Sequence, residues 1–311
     1  MNRKPSLKTK AIIAAIVCHG FWGISFMASR AALNRVPVFL LLSHRFLLAF
    51  VIMTIICFTP FGDCHLRGKP MLPLILLGLF QPVIYFIGEQ YGILHSSTIF
   101  SGVMIAMIPI AASLAAIPIL NEKLSLRQFL CSLLSVGGVI GIGFLTNNSG
   151  SLDWIGIFGL TVAVLAASAY QLAGRRISGS YTSFERSYLM ICVGAVCFSI
   201  PAMITVHGDI YAYFRPLKDS EYFLSVIFLG VCCSVICFFL SNYVLTGLSV
   251  AQSAVFANLT TVVSVLAGTL ILHEPFSFQG LIYCVMILLG IYGVLNTDGK
   301  GIPEKKQPLE K

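Results

Sequence analysis

Asn121-Glu122-Lys123-Leu124-Ser125 ends one long apolar stretch of this chain, and His273-Glu274-Pro275-Phe276-Ser277 ends another one 152 residues further on. When the chain is shifted against itself by 152 residues, these turns align without a gap, together with the apolar stretches on either side. Twelve positions of the first copy carry the same residue in the second: Tyr91, Ser97, Ser101, Val103, Leu114, Ala115, Ile119, Leu120, Glu122, Ser125, Gly138 and Gly141. The alignment predicts an internal duplication.

The two copies of this turn differ in charge. Lys123 and Arg127 in the first copy are replaced by Pro275 and Gln279 in the second. Lys and Arg are retained on the cytoplasmic side of membrane proteins. The first turn is therefore predicted to be cytoplasmic and the second to face the outside, which requires the two copies to have opposite orientations.

The composition independently indicates a membrane protein. Hydrophobic residues make up 57% of the 311 residues, charged residues only 10%, and the mean hydropathy is +0.91. About 25% of the residues of an average soluble protein are charged, and disordered chains are poor in apolar residues. A soluble globule and a disordered chain are both excluded, and the chain is predicted to cross a bilayer many times.

Ten stretches are long enough to span a membrane, since a helix needs about 20 apolar residues to do so. They are 9–30, 37–58, 72–92, 98–120, 126–145, 154–175, 184–205, 222–245, 250–272 and 278–296. The predicted fold is therefore an all-α polytopic membrane protein of ten helices, arranged as two inverted repeats of five. The predicted organisation is an N-terminal tail (1–8), a first repeat (9–145), an outer linker (146–153), a second repeat (154–297) and a C-terminal tail (298–311).

The basic residues predict the orientation of the whole chain. With the N-terminus inside, four of the 20 Lys and Arg residues fall on the outside, namely Arg30, Arg35, Arg215 and Lys218. Arg45 lies within the second span, and the remaining 15 are cytoplasmic. Both termini are predicted to be cytoplasmic. The net charge of +8 is thus an orientation signal and does not indicate nucleic-acid binding.

An inverted repeat suits a transporter, because two similar halves can open a shared site first to one side and then to the other. Several motifs resemble those of the drug/metabolite transporter (DMT) superfamily, specifically its EamA-type ten-helix members, and the resemblance covers about residues 10–297. The motifs are Trp22-Gly23-Ile24-Ser25-Phe26, Pro37 with Arg45-Phe46, and the two turns quoted above, in which Asn121 and His273 replace the usual glycine. The second half lacks a counterpart of Trp22. The resemblance implies efflux or exchange of small metabolites, often amino acids, through a central cavity.

Polar residues within the spans are the candidates for the substrate pathway, because ionisable side chains in a bilayer need a partner or a wet cavity. His19, Trp22 and Phe26 share one face of helix 1. The histidine either lines a cavity or is a structural residue bonded to a neighbouring carbonyl group.

A second polar stripe lies on helix 3, where Gln81, Tyr85 and Glu89 follow one another at intervals of four. We expect the stripe to face the cavity. Glu89 is either a proton-coupling carboxylate or the ion-pair partner of Arg45, whose charge needs an anion. His19 is a further candidate for coupling.

The other polar candidates lie on helices 6 and 9 and at the repeated turns. Asn258 is expected either to bind substrate or to cross-link helices, and Tyr170 is expected along the pathway. Glu122 and Glu274 are interpreted as acids that organise the turns. The glycine faces of helices 5 and 10, which contain Gly138 and Gly290, predict close helix packing, and a homodimer at these faces is left open.

The predicted function is secondary active transport, as an exporter or exchanger of amino acids or related amphipathic compounds in the cell membrane. The sequence contains no nucleotide-binding Gly-x-x-x-x-Gly-Lys loop, so a gradient of protons or of a counter-substrate is expected to drive transport. The alternatives are a membrane-embedded enzyme and a non-transporting interaction protein. Neither His-Glu-x-x-His nor Gly-x-Ser-x-Gly is present, so no catalysis, cofactor or metal is expected. The expected partners are a small-molecule substrate and the lipid bilayer.

Overall fold

A computed structural model describes residues 6–60, 62–95, 104–145, 153–271 and 277–297. Over these ranges the secondary structure is helical, without strands, and nine helices are long and apolar enough to cross a membrane. They are α1 (Leu7–Leu33), α2 (Val38–Cys57), α3 (Leu72–Gly92), α5 (Leu126–Leu145), α6 (Trp154–Ile177), α7 (Ser183–Thr205), α8 (Ser220–Gly247), α9 (Val250–Ile271) and α10 (Phe278–Leu295), and a shorter apolar helix, α4, covers Met104–Leu120. The predicted ten-helix, all-α membrane fold is confirmed.

The contacts between helices are symmetric. α3 packs on α6 as α8 packs on α1, and α4 packs on α6 as α9 packs on α1. α2 packs on α7 and α5 on α10, so each of these helices contacts its own repeat equivalent. This pattern is the one that two five-helix repeats related by a twofold axis produce.

The repeated serine of the turn has a local role in both copies. Ser125 Oγ accepts the backbone N–H of Gln128 at 3.1 Å at the start of α5, and Ser277 Oγ accepts the N–H of Gly280 at 3.0 Å at the start of α10. Such side-chain caps satisfy N–H groups that lack a partner in the first turn of a helix. The preceding Asn121 has a φ of 54°, a left-handed conformation that favours glycine and also accommodates asparagine.

The two glycine faces meet each other inside the chain. A Cβ atom at Gly138 of α5 would lie 2.7 Å from the carbonyl oxygen of Tyr283 in α10. A Cβ atom at Gly290 of α10 would lie 2.6 Å from the carbonyl oxygen of Cys131 in α5. The predicted close packing is therefore an intramolecular α5–α10 contact, so a homodimer would have to use other surfaces.

Two helices are interrupted at equivalent positions of the repeat. α3 is kinked within Leu79–Ile84, where Gln81 has an extended, non-helical backbone (φ −145°, ψ 118°) and the Gln81–Pro82 peptide bond is cis. α8 contains a π-helical segment, Phe228–Ile236. Adding the 152-residue repeat offset to 79–84 gives 231–236, which lies within the second segment. The π-helical segment of α8 is of a kind that is rare and occurs frequently at functional sites.

Candidate functional site

The interruption in α8 provides a backbone carbonyl group to side chains of the first repeat. A π-helical turn displaces the regular i to i+4 hydrogen bonds, so carbonyl groups become available to other donors. The carbonyl oxygen of Cys233 accepts a hydrogen bond from Trp22 Nε1 at 3.1 Å and another from Arg45 Nη2 at 3.4 Å. Trp22 of the helix 1 motif and Arg45 of the helix 2 motif therefore converge on one segment of the other repeat.

The neighbouring Ser234 completes this arrangement. Its Oγ atom donates to the carbonyl oxygen of Leu229, five residues earlier, at 3.0 Å and accepts Arg45 Nε at 2.7 Å. The Arg45 guanidinium also lies over two aromatic rings, 5.2 Å from the ring centre of Phe86 and 5.6 Å from that of Phe46. Only 5% of Arg45 is exposed, so these contacts hold a cation deep within the bundle.

His19 joins α1 to α9 one turn before Trp22. Its Nδ1 atom is 3.1 Å from Thr260 Oγ1, and its ring meets the edge of Trp22 at 5.1 Å and stacks on Phe256 at 6.2 Å. The partner of His19 is thus a side-chain hydroxyl of the second repeat. The sequence alone allowed either a bond to a neighbouring carbonyl group or a position lining a cavity. The ring is half-buried between the two repeats.

The polar stripe of α3 follows the interruption. Tyr85 Oη donates to Glu89 Oε1 at 2.8 Å, and the Tyr85 ring contacts the edge of Phe86 at 5.4 Å. The Gln81 side chain takes part in none of the hydrogen bonds found among the described residues. Gln81 lies in the interruption itself, so its backbone departs from helical geometry where the sequence predicts a continuous stripe.

Arg45 and Glu89 do not form a direct ion pair in this conformation. The ion pairs of the described residues do not include them. Arg45 is satisfied in part by Ser234 and the carbonyl group of Cys233, and Glu89 in part by Tyr85. A cavity of about 150 Å³ lies between α2 and α3, and its lining residues are Val38, Phe39, Leu42, Phe86, Ile87, Gln90 and Tyr91.

Asn258 and Tyr170 lie in helix contacts. Asn258 Nδ2 donates to Ser135 Oγ at 3.0 Å, and Ser135 Oγ donates to the carbonyl oxygen of Ile287 at 3.4 Å, which connects α9, α5 and α10. The buried Tyr170 hydroxyl is 2.9 Å from Ser241 Oγ on α8. Both side chains cross-link helices. The Phe26 side chain and Glu274 lie outside the described part of the structure.

Glu122 connects the two repeats at the predicted cytoplasmic end. Its Oε2 atom accepts the backbone N–H of Val250, in the first turn of α9, at 2.9 Å, and its Oε1 atom is 3.4 Å from Arg175 Nε at the end of α6. Arg175 Nη1 in turn donates to the carbonyl oxygens of Leu245, at 2.9 Å, and Thr246, at 3.3 Å, at the end of α8. We call this set of contacts the Glu122 contact.

The predicted outer end has a separate ionic cluster. Arg35 Nε lies 3.2 Å from an Asp219 carboxylate oxygen, and Arg35 also pairs with Glu221. The backbone N–H of Tyr222 and the Arg35 charge lower the pKa of Asp219 from its ordinary value. An open cavity of about 380 Å³ is lined by Arg35, Arg215, Pro216 and Asp219.

The partners of these residues carry little signal in the sequence. Arg175, Ser234 and Ser135 do not stand out there, since a serine or a terminal arginine in an apolar helix is common. The repeat offset offered one signal, because it places Ser135 of α5 on Ile287 of α10, its hydrogen-bond partner. The described residues contain no group of three or more His, Cys, Asp or Glu side chains that could hold a metal ion.

Known proteins share this organisation. The chain matches the EamA-like transporter family twice, over residues 9–144 and 154–296. A solved crystal structure superimposes with a TM-score of 0.76 over 92% of this chain and 96% of its own, at 15% sequence identity, which shows the same fold.

Relatives extend over almost the whole length. The uncharacterized transporter YcxC of Bacillus subtilis is 30% identical over 96% of this chain and 98% of its own. A protein of Streptantibioticus cattleyicolor named "Probable terminal-alkyne amino-acid exporter" is 24% identical over 96% of this chain and 97% of its own. With two family matches and relatives of full length, this multi-pass membrane protein belongs to the EamA-like transporter family, within the drug/metabolite transporter superfamily.

Proposed function

We propose that the protein is a secondary active exporter or exchanger of small metabolites, such as amino acids or related amphipathic compounds, and that it works by alternating access between its repeats. The observation that carries this proposal is the pair of interruptions at equivalent positions of α3 and α8. In transporters built from inverted repeats, substrate sites lie near the membrane midplane, where helices are discontinuous. An enzyme or a scaffold has no need of two matched interruptions.

The proposed pathway runs between the repeats, along α1, α2, α3 and α8. His19, Trp22, Gln81, Tyr85, Glu89 and Arg45 are proposed to line it, because they surround the two interruptions. Asn258 and Tyr170 are proposed to support the surrounding helices. Glu122, whose contact joins α4, α6, α8 and α9, is proposed to close the cytoplasmic end in this conformation.

The orientation and the energy source are also part of the proposal. Both termini are proposed to lie in the cytoplasm and the protein in the cell membrane, because 15 of its 20 basic residues fall on one side. Transport is proposed to use a gradient of protons or of a counter-substrate, with Glu89 and His19 as the titratable candidates. The relative named as an amino-acid exporter supports the choice of substrate class.

Flux into proteoliposomes tests the proposal. Amino acids, nucleobases and cationic drugs are screened with and without a pH gradient, and empty liposomes serve as the control. Protein-dependent flux of at least one compound, faster when unlabelled compound is trapped on the opposite side, is the expected result. A pH dependence that disappears in Glu89→Gln would support proton exchange. Absence of protein-dependent flux for all three classes would count against the proposal.

A further inference from the structure

The cavity of about 150 Å³ between α2 and α3 has a mainly apolar lining. Five of its seven lining residues are apolar, and Gln90 and Tyr91 contribute the side-chain polar groups. A buried water molecule needs about two to four polar partners, whereas dry apolar cavities of about this size bind small hydrocarbons. The cavity is therefore suited to an apolar ligand.

The cavity opens on the lipid-facing side of α3. Ile84, Ile87 and Tyr91 follow one another at helical spacing and form a row that is 36–46% exposed. Lipid tails are the medium around the exposed apolar side chains of a membrane-spanning helix. Ile87 and Tyr91 also line the cavity, so the cavity is continuous with the surrounding lipid.

The equivalent place in the second repeat is closed by the protein's own side chains. The repeat offset of 152 residues places Phe86 on Phe238 and Gln90 on Asn242 of α8. Phe238 and Asn242 are buried, and Asn242 Nδ2 donates to Ser187 Oγ on α7 at 3.1 Å. Phe86 and Gln90 are only half-buried. The first repeat thus leaves a space at positions that the second repeat fills.

Phe86 connects the cavity to residues of the proposed pathway. The centre of its ring lies 5.2 Å from the guanidinium carbon of Arg45 and 5.4 Å from the centre of the Tyr85 ring. The same side chain lines the cavity. A ligand in the cavity therefore contacts a ring that packs on Arg45.

We infer that a hydrocarbon chain of a membrane lipid occupies the α2–α3 cavity and packs against Leu42 and Phe86. The lipid lies in the leaflet at the Val38 end of α2, which is the outer leaflet in the proposed orientation. The chain restores the packing contacts that side chains lose when they line an empty space. It is a resident ligand that supports the Phe86 ring, whichever compound is transported.

Photolabelling of the full-length protein in nanodiscs tests the inference. The nanodiscs contain phosphatidylcholine, a small fraction of which carries a photoactivatable diazirine in one chain, and mass spectrometry locates the adducts. Phe86 should carry at least about tenfold more adduct than Phe238, because Phe86 lines an apolar space open to lipid and Phe238 is buried. The exposed Ile200 is the positive control, since its neighbour Ser199 bonds to Ser43 and so lies at the depth of Leu42.

Two variants that fill the cavity provide a second readout. Leu42→Phe adds volume on the α2 side, and Ile87→Phe introduces the residue type that α8 carries at the equivalent position, 239. Each should reduce the adducts at Phe86 about fivefold or more, because the added ring takes the place of the chain, and leave those at Ile200 unchanged. If Leu42→Phe does not fold, Ile87→Phe at its partly exposed position provides the same test.

The matched control is Ile55→Phe, which enlarges an exposed residue of α2 outside the cavity and should leave the labelling of Phe86 unchanged. Equal labelling of Phe86 and Phe238 would overturn the inference, as would adducts at Phe86 that persist in both filled variants. An equal reduction at Ile200 would also overturn it, since the loss would then not be specific to the cavity. The measurements do not use flux, so their failure leaves the proposed transport function intact.

Discussion

The Glu122 contact allows a quantitative prediction about how the two repeats separate. In Glu122→Gln the side chain keeps its size and one oxygen but loses its charge. The amide oxygen can still accept the N–H of Val250, whereas the attraction to Arg175 is lost. The variant thus weakens the contact between the repeats without opening a cavity.

The size of the effect follows from the geometry. A hydrogen bond to a charged group contributes about 1.5–3 kcal/mol, about twice as much as a neutral one, and an exposed ion pair contributes about 0.2–1 kcal/mol. The Glu122 and Arg175 side chains are 17% and 18% exposed, so solvent screens their attraction only in part. Replacing the charged acceptor with a neutral one is expected to cost about 1–2 kcal/mol, or about 5- to 30-fold in the equilibrium between closed and open ends.

Amide hydrogen exchange in nanodiscs measures this equilibrium. The first turn of α9, Val250–Ala254, is protected by the Glu122 contact and by the Ser249 cap. Exchange that requires a local opening reports the population of the open state, so its rate in this turn should rise about 5- to 30-fold in Glu122→Gln. Glu221→Gln, which changes a carboxylate at the opposite end of the bundle, is the matched control and should leave this turn unchanged.

The outcome distinguishes a closing contact from a local turn interaction. If Glu122→Gln left exchange in α9 unchanged, the contact would contribute nothing to closure and the assignment of Glu122 would be wrong. If α10 exchanged faster to the same extent as α9, the variant would have destabilised the whole bundle. Only a change confined to the ends of α8 and α9 agrees with the reasoning.

Three further predictions concern packing, the α8 interruption and the outer cluster. Gly138→Ala should reduce stability by about 1–3 kcal/mol in thermal unfolding, because its Cβ would lie 2.7 Å from a backbone oxygen of α10; Gly179→Ala, with no atom within 4 Å, should not. Trp22→Phe should destabilise by about 1–3 kcal/mol in the same assay, since it removes a donor to the α8 carbonyl group. The folded-state pKa of Asp219 is lowered, so its stabilising contribution should be present above its ordinary pKa of 3.8 and be lost as the pH falls through the lowered value. In acid unfolding curves, the loss of stability at low pH should be smaller in Asp219→Asn than in the unchanged protein. Arg35→Gln should make that loss smaller too.

The fold was predictable because its signals are repeated and periodic. Ten apolar stretches define the helices, and the alignment of Gly138 with Gly290 identifies a contact that the structure contains. The serines of the two turns were visible as identities, and their capping role follows from their position at a helix start. These features depend on local sequence. They become visible when the chain is aligned with itself at the repeat offset.

For the site, the sequence predicts which residues take part but does not predict their contacts. The sequence identified Trp22, Arg45 and Glu89, but it did not indicate that Trp22 and Arg45 would share the carbonyl group of Cys233. That carbonyl group becomes available through a π-helical turn, and the hydropathy of α8 is the same with or without such a turn. Charge alone predicts an ion pair for Arg45, yet in this conformation Arg45 bonds to Ser234 and to the carbonyl group of Cys233 and lies over two aromatic rings.

The α5–α10 contact has a consequence for the mechanics of transport. Gly138 and Gly290 occupy equivalent positions of the two repeats. If the repeats exchange conformations, the same two helices therefore still form the same contact. A contact of that kind is the same before and after the exchange, whereas the contacts that involve α1, α3, α4, α6, α8 and α9 are exchanged for their counterparts. At these glycines the two backbones lie so close together that even a Cβ atom would clash with the facing helix. Under the proposed alternating access, α5 and α10 would therefore keep their mutual contact while the other helices exchange theirs.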